Sequence, residues 1–115
     1  MNRKEKIKYY DYIRSESWQI KRRIFYSSNM YKHFLGQGKW NCYCCQKGDI
    51  PLDLHHRTYK RLGRERINID LVPVCRLCHK DIHDLFNKKE ISLWSATKYI
   101  KKRRLKEKVK ETKNV

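Results

Sequence analysis

The sequence predicts an α+β fold: a small centre of two short strands and a helix, stapled by a four-cysteine zinc site and flanked by N- and C-terminal α-helices. Three observations predict it. The 115 residues allow one compact domain, yet only 39% are apolar, a thin supply for a core, so an additional staple is expected. Five cysteines are present, four of them in two C-x-x-C pairs, Cys42 with Cys45 and Cys75 with Cys78. Around these pairs the hydrophobic period changes, from helical spacing on the flanks to short, proline-marked apolar runs in the centre. The chain divides into a basic helical region (1–41), the core carrying both cysteine pairs (42–88), and a basic helix with a tail (89–115); it has no repeat at domain scale and no Pro/Gly/Ser-rich linker.

Residues 5–13 contain no Gly or Pro and read as a first helix. Ser15, Glu16 and Ser17 interrupt it and offer hydroxyl caps for a second helix beginning near Trp18. Trp18, Ile20, Ile24, Phe25, Tyr31 and Leu35 fit burial on one side, with Lys21, Arg22 and Arg23 outward, although the pattern is too smeared to choose a face. Gly36-Gln37-Gly38 ends that helix, since glycine takes the left-handed cap conformation at little cost. Residues 50–54 and 71–74 read as two short strands that Pro51 and Pro73 restrict to edges or ends. Between them runs a polar, arginine-rich stretch turning at Gly63. After Cys78, the residues Ile82, Leu85 and Phe86 mark the inner face of a helix. A last helix starts at the Ser92 cap and passes through Leu93, Ala96, Thr97 and Ile100. Residues 101–110 then form a polybasic tail, expected to be frayed without its partner.

Charge narrows the function classes. Lys plus Arg number 29 against 12 Asp plus Glu, a net +17, divided as +7 over residues 1–41, +3 over 42–83 and +7 over 84–115. Such a chain is drawn to polyanions, and nucleic acid is the densest common one; an anionic membrane surface is the blander alternative. Insertion into a bilayer is excluded, because the longest apolar run is Cys42-Tyr43-Cys44-Cys45. The start of the chain is basic, but residues 7–11 supply no apolar segment of a signal peptide, so a reducing cytoplasm is the expected location. There, closely spaced cysteines hold metal more often than they form disulfides.

The two C-x-x-C pairs, separated by residues 46–74, supply the four thiolates of a tetrahedral structural Zn²⁺ and would anchor two distant loops together. Buried thiols or disulfides are the alternative, and Cys44 can in principle replace Cys42 or Cys45. Cys75-Arg76-Leu77-Cys78-His79 also matches the haem-attachment pattern C-x-x-C-H, but that chemistry belongs outside the cytosol and leaves the other pair unexplained.

Four of the five histidines fall in two places. His79 and His83, at i and i+4, share one helical face and can bind one ion together. In a strand His55 and His56 point to opposite sides, so if His55 ligates, His56 is left free beside the ion. That division suits metal-assisted phosphodiester hydrolysis. A divalent ion neutralises the scissile phosphate and stabilises the leaving oxygen, while an imidazole of ordinary pKa ~6.5 takes a proton from the attacking water. A second structural metal, or a set of surface histidines, is the competing reading.

Taken together, Cys42-x-x-Cys45, Leu54-His55-His56-Arg57-Thr58-Tyr59-x-Arg61-Leu62-Gly63 and Asp70-Leu71-Val72-Pro73-Val74-Cys75-x-x-Cys78-His79-x-x-x-His83 resemble the HNH endonuclease family. The lead-in Tyr12-Ile13-x-Ser15-x-x-Trp18-x-x-x-Arg22 is similar to that of small bacterial and phage members. The resemblance implies a ββα-metal (His-Me finger) core, DNA as substrate, and a bacterial cytoplasm as the place of action. It implies His56 as general base, His55, His79 and His83 on a catalytic ion, and Asp70 at the position that orients the base-bearing loop. The family has Asn there; aspartate accepts hydrogen bonds but cannot donate through an amide. Three imidazoles suit Mn²⁺, Ni²⁺ or Zn²⁺ better than Mg²⁺.

Arg57, Lys60, Arg61, Arg64 and Arg66 follow the histidines directly and are candidates to hold phosphates beside the cut, with solvated surface charge as the alternative. The basic flanks are expected to add salt-sensitive, sequence-independent affinity. No base-reading module is present, so sequence specificity is expected to come from a partner protein. The competing function is a zinc-stabilised nucleic-acid-binding module that does not cut.

Overall fold

The computed structural model describes residues 3–27 and 40–113, the side chains of 68 and 111–113 excepted. Among them run, in chain order, α1 (Arg3–Ile13), α2 (Glu16–Ser27), β1 (Leu52–His56), a single-turn α3 (Ile67–Asp70), β2 (Leu71–Cys75), α4 (Arg76–Lys88) and α5 (Leu93–Lys113). β1 and β2 pair antiparallel, with Leu52 opposite Cys75 and His56 opposite Leu71. The architecture is α+β, with four cysteines gathered at one end of the two-stranded sheet. None of these helices is long and apolar enough to cross a membrane.

Ser15 caps α2 as its hydroxyl predicts: Ser15 Oγ accepts from the Trp18 N–H at 3.2 Å. The face that the sequence left open is set by Trp18 and Phe25, both buried and two turns apart, whereas Ile20 and Ile24 are exposed. Tyr31, Leu35 and the Gly36-Gln37-Gly38 terminator lie outside the described residues.

β1 lies two residues further along than the expected 50–54. Ile50 and Pro51 belong instead to the outgoing arm of the first cysteine turn, where Asn41 bridges Gly48 and Asp49 has a φ of 57°. Pro51 has no N–H to give to a ladder. The shift places both histidines inside the strand, where alternation separates them. Asp53 and His55 face α4, while Leu54 and His56 face α2.

Each side of the sheet carries its own core. Leu54 and Leu71 pack with Trp18 and Phe25 on the α2 side. On the other side Val72 and Val74 join Cys42, Cys44, Cys75, Cys78 and Ile82, closed over by Leu93, Ala96 and Ile100 of α5. Pro73 is tolerated because, among the described residues, β1 is the only strand paired with β2; its carbonyl accepts from the Tyr43 N–H at 2.7 Å. The stretch between the strands turns at Gly63, whose φ of 88° favours glycine.

α5 begins as predicted, with Ser92 Oγ accepting from the Ser95 N–H at 3.0 Å. The expected frayed tail is corrected: residues 101–110 continue the helix. Side chains far along α5 tie it down. Arg104 pairs with Asp81 of α4, Lys101 lies 3.8 Å over the Tyr43 ring, and Lys108 donates to Gln46 Oε1 at 3.0 Å.

Candidate functional site

The thiols of Cys42, Cys45, Cys75 and Cys78 lie within 4.8 Å of one another, the arrangement a tetrahedral ion requires. Each C-x-x-C folds back so that a backbone N–H points at its first sulfur, Cys45 N to Cys42 Sγ at 3.5 Å and Cys78 N to Cys75 Sγ at 3.4 Å. These bonds stabilise thiolates. The Cys44 thiol beside Cys42, helped by backbone N–H groups and opposed by burial, holds Cys42 down at about 4. Cys44 is fully buried in the core and is not one of the four, so it does not replace Cys42 or Cys45. Its thiol is pushed up by its neighbour Cys42 and by burial, as befits a protonated donor to a thiolate. The donor set fits structural zinc.

A second group forms where β1 meets α4. One ring nitrogen each of His55, His79 and His83 fall within 4.8 Å of one another, and the ring centroids stand 4.8 to 5.6 Å apart. Burial, reinforced by the neighbouring imidazoles, drives His55 well below the usual histidine range and holds His83 at about 4. Both are therefore neutral near pH 7, the form that ligates.

The tautomer of His55 is set by its surroundings. Thr97 Oγ1 donates its one proton to the Leu93 carbonyl at 2.8 Å, so toward His55 Nε2, also 2.8 Å away, it can only accept. The proton of His55 therefore sits on Nε2. Its Nδ1 carries a lone pair and is buried with no partner among the described residues. A buried acceptor left open is costly, and an ion shared with His79 and His83 would satisfy it. Asp53 accepts from His79 Nδ1 at 3.1 Å, which leaves His79 Nε2 to ligate; carboxylate partners of this kind orient metal-bound histidines generally.

His56 faces the other way and is not one of the triad, as strand alternation predicts, but its ring is enclosed by neighbours instead of standing open. It is 2% exposed, stacked on Trp18 at 4.6 Å between centroids, and edged by Tyr9 and Tyr59. Its Nε2 lies 2.9 Å from Glu65 Oε2. Burial works against a charged Glu65, but hydrogen bonds from His56, from the backbone and from Tyr12 hold the carboxyl at about 2. An ionised carboxylate only accepts, so the proton of His56 sits on Nε2 and its buried Nδ1 presents a lone pair with no partner among the described residues. Tyr12 donates to Glu65 Oε1 at 2.9 Å, and Lys21 reaches the same oxygen at 3.2 Å. Both N-terminal helices thus fasten the partner of His56.

Asp70 is fully buried and organises the loop before it. It takes a two-pronged contact from Arg61, at 2.8 Å to Nε, and a further bond from the Arg66 N–H at 2.9 Å. The Arg61 guanidinium, helped by that N–H, holds the Asp70 carboxyl below the usual range. The Asp70 carbonyl accepts from the Arg57 N–H at 2.7 Å, fixing the residue next to His56. The five basic residues therefore separate. Arg61 is engaged with Asp70, and Arg57 lies 4.0 Å over the Trp94 ring while donating to the Ile69 carbonyl. Lys60, Arg64 and Arg66 are exposed.

Four residues that sequence reasoning missed hold the site in shape: Asp53, Glu65, Thr97 and Arg104. Two carried a signal. Asp53 shares the strand face of His55 by its spacing of two, and Glu65 is the single acidic residue between Asp53 and Asp70. Thr97 and Arg104 carried none, because their roles depend on how α5 crosses the core. No family model, curated protein or solved structure matches the chain.

Proposed function

We propose that this protein is a metal-dependent endonuclease of the HNH type, hydrolysing DNA phosphodiester bonds. The observation that carries the proposal is the division of the two adjacent histidines of β1. His55 joins His79 and His83 in a triad of neutral imidazoles with an open nitrogen, and His56 is held by Glu65 in the tautomer of a base. The order β1, β2, α4 is what a ββα-metal core requires. Bound at His55, His79 and His83, a divalent ion supplies charge neutralisation at the phosphate and stabilises the leaving oxygen. His56 Nδ1 accepts a proton from the attacking water, and Glu65 steadies the ring and favours the imidazolium that results. Asp70, through Arg61, Arg66 and its own carbonyl, keeps the intervening loop in register. Lys60, Arg64 and Arg66 supply phosphate contacts, and the zinc fixes β2 and the start of α4 against the first cysteine turn.

Relaxation of supercoiled plasmid, with and without added Mg²⁺, Mn²⁺ or Ni²⁺, tests the reading. The parent nicks or cuts in a divalent-dependent way, and His56→Ala slows it by ~10²- to 10⁴-fold. If no cation supports cleavage, or if His56→Ala cuts as well as the parent, the catalytic assignment fails. One observation favours the second reading, a zinc-stabilised nucleic-acid-binding module that does not cut: His56 lies beneath Trp18, Tyr9 and Tyr12. That reading gives salt-sensitive DNA binding with no cleavage.

A further inference from the structure

Beside His83 a groove opens between α1 and α4, lined by Lys6, Tyr9, Tyr10, Tyr59, His83 and Asn87. Packing against the core accounts for Tyr59 and for Phe86, which also lines the groove, but not for the α1 side. α1 buries none of its residues, and Tyr10 keeps 51% of its surface exposed. Tyr10 nevertheless stands edge-on to Tyr9 at 5.6 Å, and Tyr9 edge-on to Tyr59 at 4.9 Å, so an aromatic wall runs continuously from solvent to His56, in a groove that His83 of the triad also lines. Lys6 lies on the α1 rim and Asn87 on the α4 rim, and no carboxylate lines the groove. Bare rings offer a face to any base, an ammonium offers a point charge to a phosphate, and a side-chain amide offers both a donor and an acceptor to a base edge. A carboxylate there would repel a phosphate.

We propose that this groove seats the nucleotide adjoining the scissile phosphate. Its base lies against Tyr10 and Tyr59, and its outer phosphate on Lys6. The placement next to the cut rests on the nuclease reading; the affinity for a nucleotide does not. Because ring stacking needs an exposed base face, the groove favours an unstacked nucleotide over one paired in a regular duplex.

The test is fluorescence anisotropy of the full chain, carrying its zinc and no added divalent ion, with a short labelled DNA oligonucleotide in single-stranded and duplex form. Tyr10→Ala weakens single-strand binding by roughly 5- to 150-fold, the span of one base–aromatic stack, and Tyr10→Phe binds as the parent does. Lys6→Ala lowers the slope of log affinity against log salt by ~0.7. Lys89→Ala, an exposed lysine outside the groove, is the control for charge loss alone. If Tyr10→Ala binds as the parent does, or loses no more than Lys89→Ala, the groove is not a nucleotide site. Plasmid relaxation by the parent separates this result from the nuclease reading. Cleavage with normal binding by Tyr10→Ala overturns the groove alone. Absence of cleavage with weakened binding by Tyr10→Ala leaves the groove as a nucleotide site and overturns hydrolysis.

Discussion

Thr97→Val is the most informative single change at the histidine triad. Valine preserves the shape of a side chain that is 1% exposed and removes one oxygen, which accepts from His55 Nε2 and donates to the Leu93 carbonyl within α5. In the metal-free variant His55 relaxes by moving its proton to Nδ1, where the lone pairs of the neighbouring His79 and His83 rings can accept it, rather than stranding an N–H at Nε2 against a methyl group. Binding an ion then demands the proton back on Nε2, where no acceptor remains. A buried donor without a partner costs ~1–3 kcal/mol, which at ~1.4 kcal/mol per factor of ten is ~5- to 150-fold in affinity. The loss generally seen on removing an outer partner of a metal-bound histidine, ~10- to 100-fold, falls inside that range. Calorimetric titration with Ni²⁺, and the visible absorption of bound Co²⁺, report the triad directly on protein already holding zinc at its cysteines. Thr97→Ser, which restores the oxygen, restores the affinity. If Thr97→Val binds Ni²⁺ as tightly as the parent, the tautomer assignment for His55 is wrong.

Six further substitutions probe the rest. Cys75→Ala removes zinc and the cooperative fold together, whereas Cys44→Ser retains one zinc and loses ~1–3 kcal/mol for the buried hydroxyl; metal analysis with circular dichroism distinguishes them. Glu65, held at about 2, binds its proton more weakly when folded than when unfolded. Its stabilisation is therefore complete above pH ~4.3 and lost as pH falls toward ~2, and in urea titrations Glu65→Gln flattens the decline over that window. Arg61→Ala strands the buried Asp70 carboxylate and lowers the urea midpoint, an effect moderated because about a third of the Arg61 side chain faces water. Lys60→Ala and Arg64→Ala instead leave stability within ~0.5 kcal/mol and reduce the salt dependence of duplex binding by ~0.9 each.

The cysteine cluster was legible because spacing alone determines it: each C-x-x-C supplies two sulfurs from one turn, and only the contact between turns had to be assumed. The triad was legible for a similar reason, since i, i+4 fixes His79 and His83 on one face and strand alternation sends His55 and His56 apart. What the sequence did not carry was the content of the far side. His56 was expected to be free because nothing near it in the chain predicts Trp18, 38 residues away, as its stacking partner. The tail was expected to fray because a local count of like charges weighs repulsion and omits the Arg104 contact with Asp81, which depends on the crossing of α4 and α5. Arg61 was grouped with phosphate-binding residues because its role depends on the burial of Asp70, a property of three dimensions.

The path of α5 gives these separate features one physical connection. Thr97 reaches the histidine triad, and Arg104, seven residues on, reaches Asp81 and lies against Cys78 of the zinc cluster. Two helical turns, ~10 Å, thus touch both the histidine triad and the cysteine cluster. A chain with so few apolar residues cannot hold two such centres in register by packing alone, because each side of its two-stranded sheet has only a small core. One rigid helix anchored at both centres supplies that register. The same helix then carries Lys102, Arg103, Lys106 and Lys110 outward on a continuous scaffold, so a polyanion held there sits at a fixed distance from the triad, which a disordered basic tail could not enforce. On the proposed nuclease reading, the charge on the C-terminal flank would therefore set position as well as affinity.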